Sequence, residues 1–411
     1  MLSLTWRQVL RFRLERHHLL RPAAPDRLID VVGEVCGIHA QVPMSTDLSI
    51  GARVDGLTRA DIHGEIWTRR TLVRTYGIRG TVHVFPASEL PMWLAALRAN
   101  PAPNRDAVLQ LIGIDQARMD AMVEAIGEAL DGRRLTREEL GAQVVARVGR
   151  WAGAKRFPAF GDMQPLWWPA IGHAATAGLL CFAPNQGTRV TFVRPDQWIG
   201  PSARRHVGAT AALAVVLRRY LRAYGPATPA EFAQWFAATR QTTARAVKAL
   251  SRETEEVDID GTRALAMSED VPALASAARS GSRTARSPSP SVRLLPSFDV
   301  YIVGSHPRDV LIPTAFVDHA ARHTASQKWA SGRAQLAGPI PVLVIDGRVA
   351  GMWRRTGTSG RVHIGVEPFA DLSKRHVALL EAEAERMGGF LGGTATLSIE
   401  RFEARPSGAV S

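Results

Sequence analysis

Apolar residues in the first part of the chain recur at helical spacing, and the recurrence gives way to alternation at defined points. Thr5 and Gln8 stand at capping-box spacing ahead of Trp6, Val9, Leu10 and Leu14, which share one helical face, so a helix is predicted over residues 5–20. A second helix is predicted through Leu28, Val31, Val32 and Val35. A third starts near Thr58, with Asp61 three residues on, and carries Ile62 and Ile66. β-branched and aromatic residues then take over. Leu72 to Ile78 and Thr81 to Phe85 flank Arg79-Gly80 and read as a hairpin. Helices followed by a hairpin are the parts of a winged helix, a helix-turn-helix with a β wing.

The same order recurs twice. Thr136 and Glu139 cap a helix through Leu140, Val144 and Val145, a Trp-rich helix is predicted over Leu166, Trp167, Trp168 and Ile171, and Leu180 to Ala183 and Arg189 to Val193 flank the turn Asn185 to Thr188. In the third round a long helix holds Leu213, Val216, Leu217 and Leu221. Thr228, Pro229 and Glu231 supply an N-cap, a first-turn proline and a capping-box glutamate for a short helix through Phe232 and Phe236. That helix turns near Thr239 into another, Thr242 to Leu250, and Val257 to Met267 pairs about Asp260-Gly261, a strong hairpin signal. Residues 268–291, rich in Ser, Ala, Arg and Pro, read as a mobile linker or loop. Beyond them, strands Ile340 to Ile345 and Val349 to Trp353 turn at Asp346-Gly347. The strand Arg361 to Val366, a helix Leu372 to Met387 and a last strand Ala395 to Ile399 complete an α+β unit. The expected fold class is α+β, divided into winged-helix units at 1–100, 101–200 and 201–270, a linker at 271–291 and a β-rich C-terminal domain at 292–411.

Composition narrows what such an array does. The chain has 411 residues, 46% hydrophobic and 22% charged, long enough for roughly two to four domains with full cores. No apolar run approaches the roughly 20 residues of a membrane span. Charges interrupt the N-terminal apolar stretch, so neither a signal peptide nor an anchor is expected there. Cys36 and Cys181 stand far apart in apolar surroundings and imply no disulfide framework. A reduced, cytoplasmic, nucleoid-associated location fits. The formal charge is +13, and four of the 51 basic residues are Lys. Arg offers a planar fork to phosphates and base edges, so a basic chain of this kind points first to nucleic acid. A base-composition bias toward Arg and Ala accounts for the Arg excess equally well, but less well for the positive sign.

Many chemistry-bearing signatures are absent. The sequence holds no CxxC or EF-hand loop, no phosphate-binding or dinucleotide glycine loop, and no nucleophile elbow. Other stretches are distinctive: Ile38-His39-Ala40-Gln41, Ser49 to Val54, Arg79-Gly80-Thr81-Val82-His83, LLPSFDVYIVG at 294–304 and IDGRVAGMWRR at 345–355. Together, over roughly residues 5–392, they resemble the winged-helix DNA glycosylases of the AlkZ/YcaQ type. That resemblance implies tandem winged helices in a C-shaped array with a β-rich C-terminal part, and no metal or organic cofactor. It also implies excision of N7-alkylated purines from double-stranded DNA, bulky or crosslinked adducts included, by a monomer with no membrane partner. Members of the family often protect a producer from its own alkylating antibiotic. The family's catalytic signature, Gln–apolar–Gln or Gln–apolar–Asp, falls on His39-Ala40-Gln41, with His in the first place. The resemblance thereby assigns catalysis to His39 and Gln41. Spacing alone favours a histidine that caps the end of the second helix.

Several basic positions remain open between DNA contact and an ordinary surface. Arg79 and Thr81 suit phosphates or a solvated hairpin tip, and His83 suits the site wall or the core. Arg240, Arg245 and Lys248, with Arg252 beyond them, lie where a helix-turn-helix places its reading helix or on a plain basic face. Arg354 and Arg355 suit phosphate, beside a core Trp353. Trp167-Trp168 read as core, and Asp299 and Tyr301 as structural. The competing functions are a winged-helix transcription regulator without catalysis and a binder that sequesters a toxin. An open basic surface carrying both His39 and Gln41 on its wall is expected, because no aromatic residue stands beside the pair.

Overall fold

The computed structural model describes all residues except 101–108, 160, 281–288, 315, 318–336, 359 and 401–411. In chain order β1 (Leu2–Leu4), α1 (Trp6–Arg16), α2 (Leu28–Glu34), β2 (Ile38–His39), α3 (Pro43–Gly51) and α4 (Arg59–His63) precede the hairpin β3 (Leu72–Tyr76) and β4 (Val82–Pro86). Then come α5 (Leu90–Arg98), α6 (Gln116–Ala129), β5 (Leu135–Thr136), α7 (Arg137–Val148), β6 (Lys155–Ala159), β7 (Asp162–Pro165), α8 (Ala170–Thr176), β8 (Cys181–Gln186) and β9 (Arg189–Val193). Helices α9 (Ala209–Tyr224), α10 (Pro229–Phe236) and α11 (Arg240–Leu250) lead to β10 (Thr254–Ile259), β11 (Thr262–Met267) and α12 (Val271–Ser280). The chain ends in β12 (Val292–Leu295), α13 (Val300–Gly304), β13 (Val342–Ile345), β14 (Arg348–Thr358), β15 (Arg361–Pro368), α14 (Lys374–Phe390) and β16 (Thr394–Ile399). The fold is α+β. Both expected capping boxes form, Thr5 with Gln8 and Thr136 with Glu139, and Thr228 and Glu231 exchange the same pair of bonds.

The chain divides into two compact units, one of residues 1–62, 219–231 and 253–411, the other of residues 63–218 and 232–252. The consecutive boundaries expected from the sequence do not coincide with this division. In the first unit, strands β12 to β16 form a five-stranded sheet in sequence order. Its neighbours are antiparallel except the parallel pair β15–β16. Helix α14 covers it, packing Leu380, Ala384 and Met387 with Leu294, Trp353 and Val366. A smaller sheet, β1-β10-β11, is covered by Val9 and Phe12 of α1 and Leu274 of α12. Its turn residues Asp260 and Gly261 have φ of 46° and 88°, the two positive angles of a tight hairpin turn. Helix α12 corrects the linker expectation over 271–280: its apolar side packs on the α1 sheet layer. Residues 281–288 of that segment lie outside the described residues.

In the second unit, β5 pairs with β9, which pairs with β8. With α6, α7 and α8 this is helix, short strand, two helices and wing, the winged-helix order. The turn from α7 to α8 is lengthened by the hairpin β6–β7, which the sequence pattern does not announce. The Trp-rich helix expected from Leu166 starts only at Ala170. Leu166 N–H donates to the Ala154 carbonyl and Trp167 N–H to the Ala152 carbonyl, so backbone bonds tie this stretch across to 152–154.

Candidate active site

His39 sits just after the end of α2. Cys36 and Gly37 take φ of 67° and 84°, which reverses the chain out of the helix and into β2. After Ala40 and a bend at Gln41-Val42, Pro43 opens α3. Thr46 in the first turns of α3 donates its hydroxyl to the His39 carbonyl at 3.3 Å. Helix α3 thus fixes the backbone of the motif from the far side. Ser45, Thr46, Asp47 and Ser49 of α3 are all buried, and its N-cap makes no side-chain bond. Buried polar residues around Leu48 and Ile50, and a start without a capping side chain, blur the apolar period of this helix, so the sequence does not reveal it.

His39 is 6% exposed, and its ring lies nearly parallel to the ring of Phe298, with centroids 5.1 Å apart and planes 19° from parallel. Gln41 is exposed. The two members of the motif therefore differ: the carboxamide faces solvent and the imidazole is clamped. This corrects the expectation that both stand on an open wall.

Phe298 is held on both sides. Its own φ is 59°, a left-handed angle that a phenylalanine adopts only under constraint. The next residue, Asp299, is fully buried with Arg53, and Arg53 donates to both of its oxygens at 2.8 and 2.7 Å. Ser49 Oγ adds a bond at 2.8 Å and the Tyr301 N–H one at 2.9 Å. A buried carboxylate with four donors is compensated, whereas one deprived of its guanidinium would not be. The same cluster reaches the 345–355 segment. Tyr301 Oη donates to the Gly347 carbonyl at 2.9 Å, and Trp353 Nε1 to the Leu295 carbonyl at 2.8 Å. A Cβ on Gly347 would lie 2.9 Å from Tyr301 Oη, and the φ of 84° there favours glycine as well. Three of the five distinctive stretches (49–54, 294–304 and 345–355) are thus bonded to one another behind the ring that covers His39. The structural reading of Asp299 and Tyr301 agrees with these bonds. Phe298 has no signal of its own in the sequence.

The remaining candidates are placed as follows. In the second unit His83 is 3% exposed, stacks on Phe85 at 5.5 Å, and lies 3.0 Å from the Thr81 carbonyl through Nδ1. Thr81 Oγ1 donates to the Ile78 carbonyl at 3.0 Å, and the Arg79 guanidinium donates to the Trp235 carbonyl at 2.5 Å. The hairpin tip is thus bonded inward rather than offered to solvent. Arg240, Arg245 and Lys248 are exposed on α11, whose opposite side buries Thr242, Ala246 and Leu250. In the first unit Arg354 and Arg355 are exposed in the middle of β14, which runs on to Thr358 rather than ending there, and Arg354 pairs with Glu400 at 2.5 Å. Trp167 and Trp353 are core, while Trp168 is half-buried. Among the described residues no group of three or more His, Cys, Asp or Glu is placed to hold a metal ion, and no helix is long and apolar enough to cross a membrane.

Comparison with known proteins bears on this arrangement. The model of the family described as DNA glycosylase AlkZ-like matches residues 32–390. An interstrand DNA cross-link repair glycosylase of Streptomyces sahachiroi is 29% identical over 386 residues, which cover 92% of this chain and 95% of that protein. The solved structure of the Streptomyces sahachiroi DNA glycosylase AlkZ aligns with a TM-score of 0.77 at 28% identity, covering 98% of this chain and 100% of that one.

Proposed function

The chain belongs to the AlkZ-like DNA glycosylase family, and from that premise we propose that it hydrolyses the N-glycosidic bond of N7-alkylated purines in double-stranded DNA. Bulky and crosslinked adducts are included, and the role is repair or self-resistance toward a DNA-alkylating genotoxin. The Streptomyces sahachiroi relative, named for cross-link repair, supports the wider lesion range.

The observation that carries the reading is the clamped His39 followed by an exposed Gln41 at the family's catalytic position. N7-alkylation makes the purine cationic and a good leaving group, so no strong acid is needed. Water attacks C1′, the C1′–N9 bond breaks, and its electron pair leaves with the base, which departs neutral. His39 orients the water and takes its proton, and the Gln41 carboxamide oxygen stabilises the positive charge that develops on the sugar. The chain holds four Lys, none before position 155, and this scarcity of amine nucleophiles supports a monofunctional reaction without a lyase step.

The test is incubation with duplexes carrying one N7-methylguanine or one bulky N7-adduct, followed by mild alkali to cleave abasic sites. Alkali-dependent breaks in both duplexes are expected. Absence of breaks in both would overturn the assignment, strong preference for the methyl lesion would overturn its extension to bulky adducts, and breaks without alkali would overturn the monofunctional reading.

A further inference from the structure

The second unit contains an open groove of ≈ 900 Å³ lined by neither His39 nor Gln41. One wall is α7, where Gly141, Ala142, Val145 and Ala146 present small side chains. The other is the β6–β7 hairpin with the segment that follows it. Gly141 is required for this shape, since a Cβ there would lie 2.7 Å from the Trp167 ring that backs the groove. The half-buried Trp168 indole lines the groove, and the Arg137 guanidinium lies over it, 4.9 Å from the ring centroid. Arg150 and Lys155, both exposed, stand on the rim. The acidic group of the lining, Glu138, is paired with Arg137 at 3.1 Å. The groove is therefore aromatic within and cationic at its edge.

That combination has a chemical match. Planar rings stack on indole and guanidinium alike, and rim cations meet phosphates, which together describe a nucleotide chain. The base must be unpaired, because a base inside a duplex has both faces covered by its neighbours. We propose that the groove between α7 and the β6–β7 hairpin binds a segment of single-stranded DNA, stacking a base on the Trp168–Arg137 pair and holding the phosphates with Arg150 and Lys155. The groove lies within the second unit, and none of its lining residues is assigned to the excision chemistry. It would hold a strand whose pairing a lesion has already disrupted.

The test measures binding of the full chain to a fluorescein-labelled, undamaged oligothymidylate and to a hairpin duplex of the same length, by anisotropy over a salt series. Trp168→Ala should weaken single-strand binding about five-fold or more, the scale of removing one base–aromatic stack. Arg150→Glu with Lys155→Glu should weaken it further and flatten the salt slope by about 0.7 per phosphate no longer neutralised. Duplex affinity and the excision rate should change less than about two-fold, well below the stacking scale. Both charged positions are at the surface, so that double variant keeps the test valid if Trp168→Ala fails to fold. Unchanged single-strand binding in the double variant, or equal weakening for single strand and duplex, would overturn the proposal. Because the probe is undamaged, a protein without excision activity still tests it.

Discussion

His39 and His83 are both buried and each lies against a phenylalanine, yet they are held by different means. The partner of His83 is Phe85, two residues along the same strand, and its Nδ1 lies at the carbonyl of Thr81, two residues back. Both of these contacts are local to one hairpin. The partner of His39 is Phe298, brought from a distant part of the chain and fixed by Asp299 in a buried ion pair with Arg53. A local stack forms with the hairpin at no added cost. A distant clamp built on a strained backbone and a buried charge pair is costly, and such arrangements collect where geometry must be exact for chemistry. Under the proposed function the difference marks His39 as the working histidine and His83 as the packing one, although the two rings look alike in burial and stacking.

The comparison breaks most visibly if the clamp is cut. Asp299→Ala leaves Arg53 charged and buried and should cost about 3–5 kcal/mol of stability, measured by urea unfolding. A decrease below about 1 kcal/mol, the scale of a surface pair, would mean that the ion pair does not anchor the segment. Next, Phe298→Leu should lower single-turnover excision about ten-fold or more, as for a misplaced reacting group. Phe85→Leu should leave the rate within about two-fold, because no reacting group moves. Equal effects would erase the distinction between the rings.

How much of this could be read along the chain follows from how local each signal is. The hairpins at Asp260-Gly261 and Asp346-Gly347 and the capping boxes at Thr5 and Thr136 are legible because a few neighbouring residues decide them. Helix α3 is not legible, because beside Leu48 and Ile50 it buries Ser45, Thr46, Asp47 and Ser49, which blur the apolar period, and the partner of Ser49 is Asp299, far along the chain. The β6–β7 hairpin is short and half-exposed and has no alternating pattern. His39 and Gln41 stand out through family resemblance alone. The Phe298 clamp could not be read, since a bond between Arg53 and Asp299 is a long-range fact that a single sequence does not carry.

A third buried histidine sharpens the contrast through pH. His17, fully buried against Tyr224 and Tyr301, is held neutral by burial first and then by the nearby Arg53, His18 and Arg13, which push its pKa well below 6.5. The unfolded chain binds a proton there below about pH 6.5 while the fold does not. Stability is therefore complete above that pH and falls as pH drops toward the folded value, by at most about 1.4 kcal/mol per pH unit. Urea midpoints from pH 7.5 to 5 should show the fall, and His17→Leu should flatten it. A midpoint independent of pH in the unaltered protein would contradict the assignment. The smallest effects belong to the surface. Replacing Arg240, Arg245 and Lys248 with Gln should weaken DNA binding and reduce the salt slope by about 0.9 for each phosphate the variant no longer neutralises. Arg354→Gln, which removes a partner of Glu400, should change stability by less than about 1 kcal/mol. An unchanged slope in the triple variant would take α11 out of the DNA-binding surface.

The sharpest single comparison is single-turnover excision of N7-methylguanine by His39→Ala and His83→Ala, with duplex affinity measured alongside. A clamped catalytic imidazole predicts a drop of about 10²-fold or more for His39→Ala at unchanged affinity, the scale of a missing acid–base group, with His83→Ala within about three-fold of the unaltered protein. Equal rates in both variants, or a larger drop for His83→Ala, would contradict it.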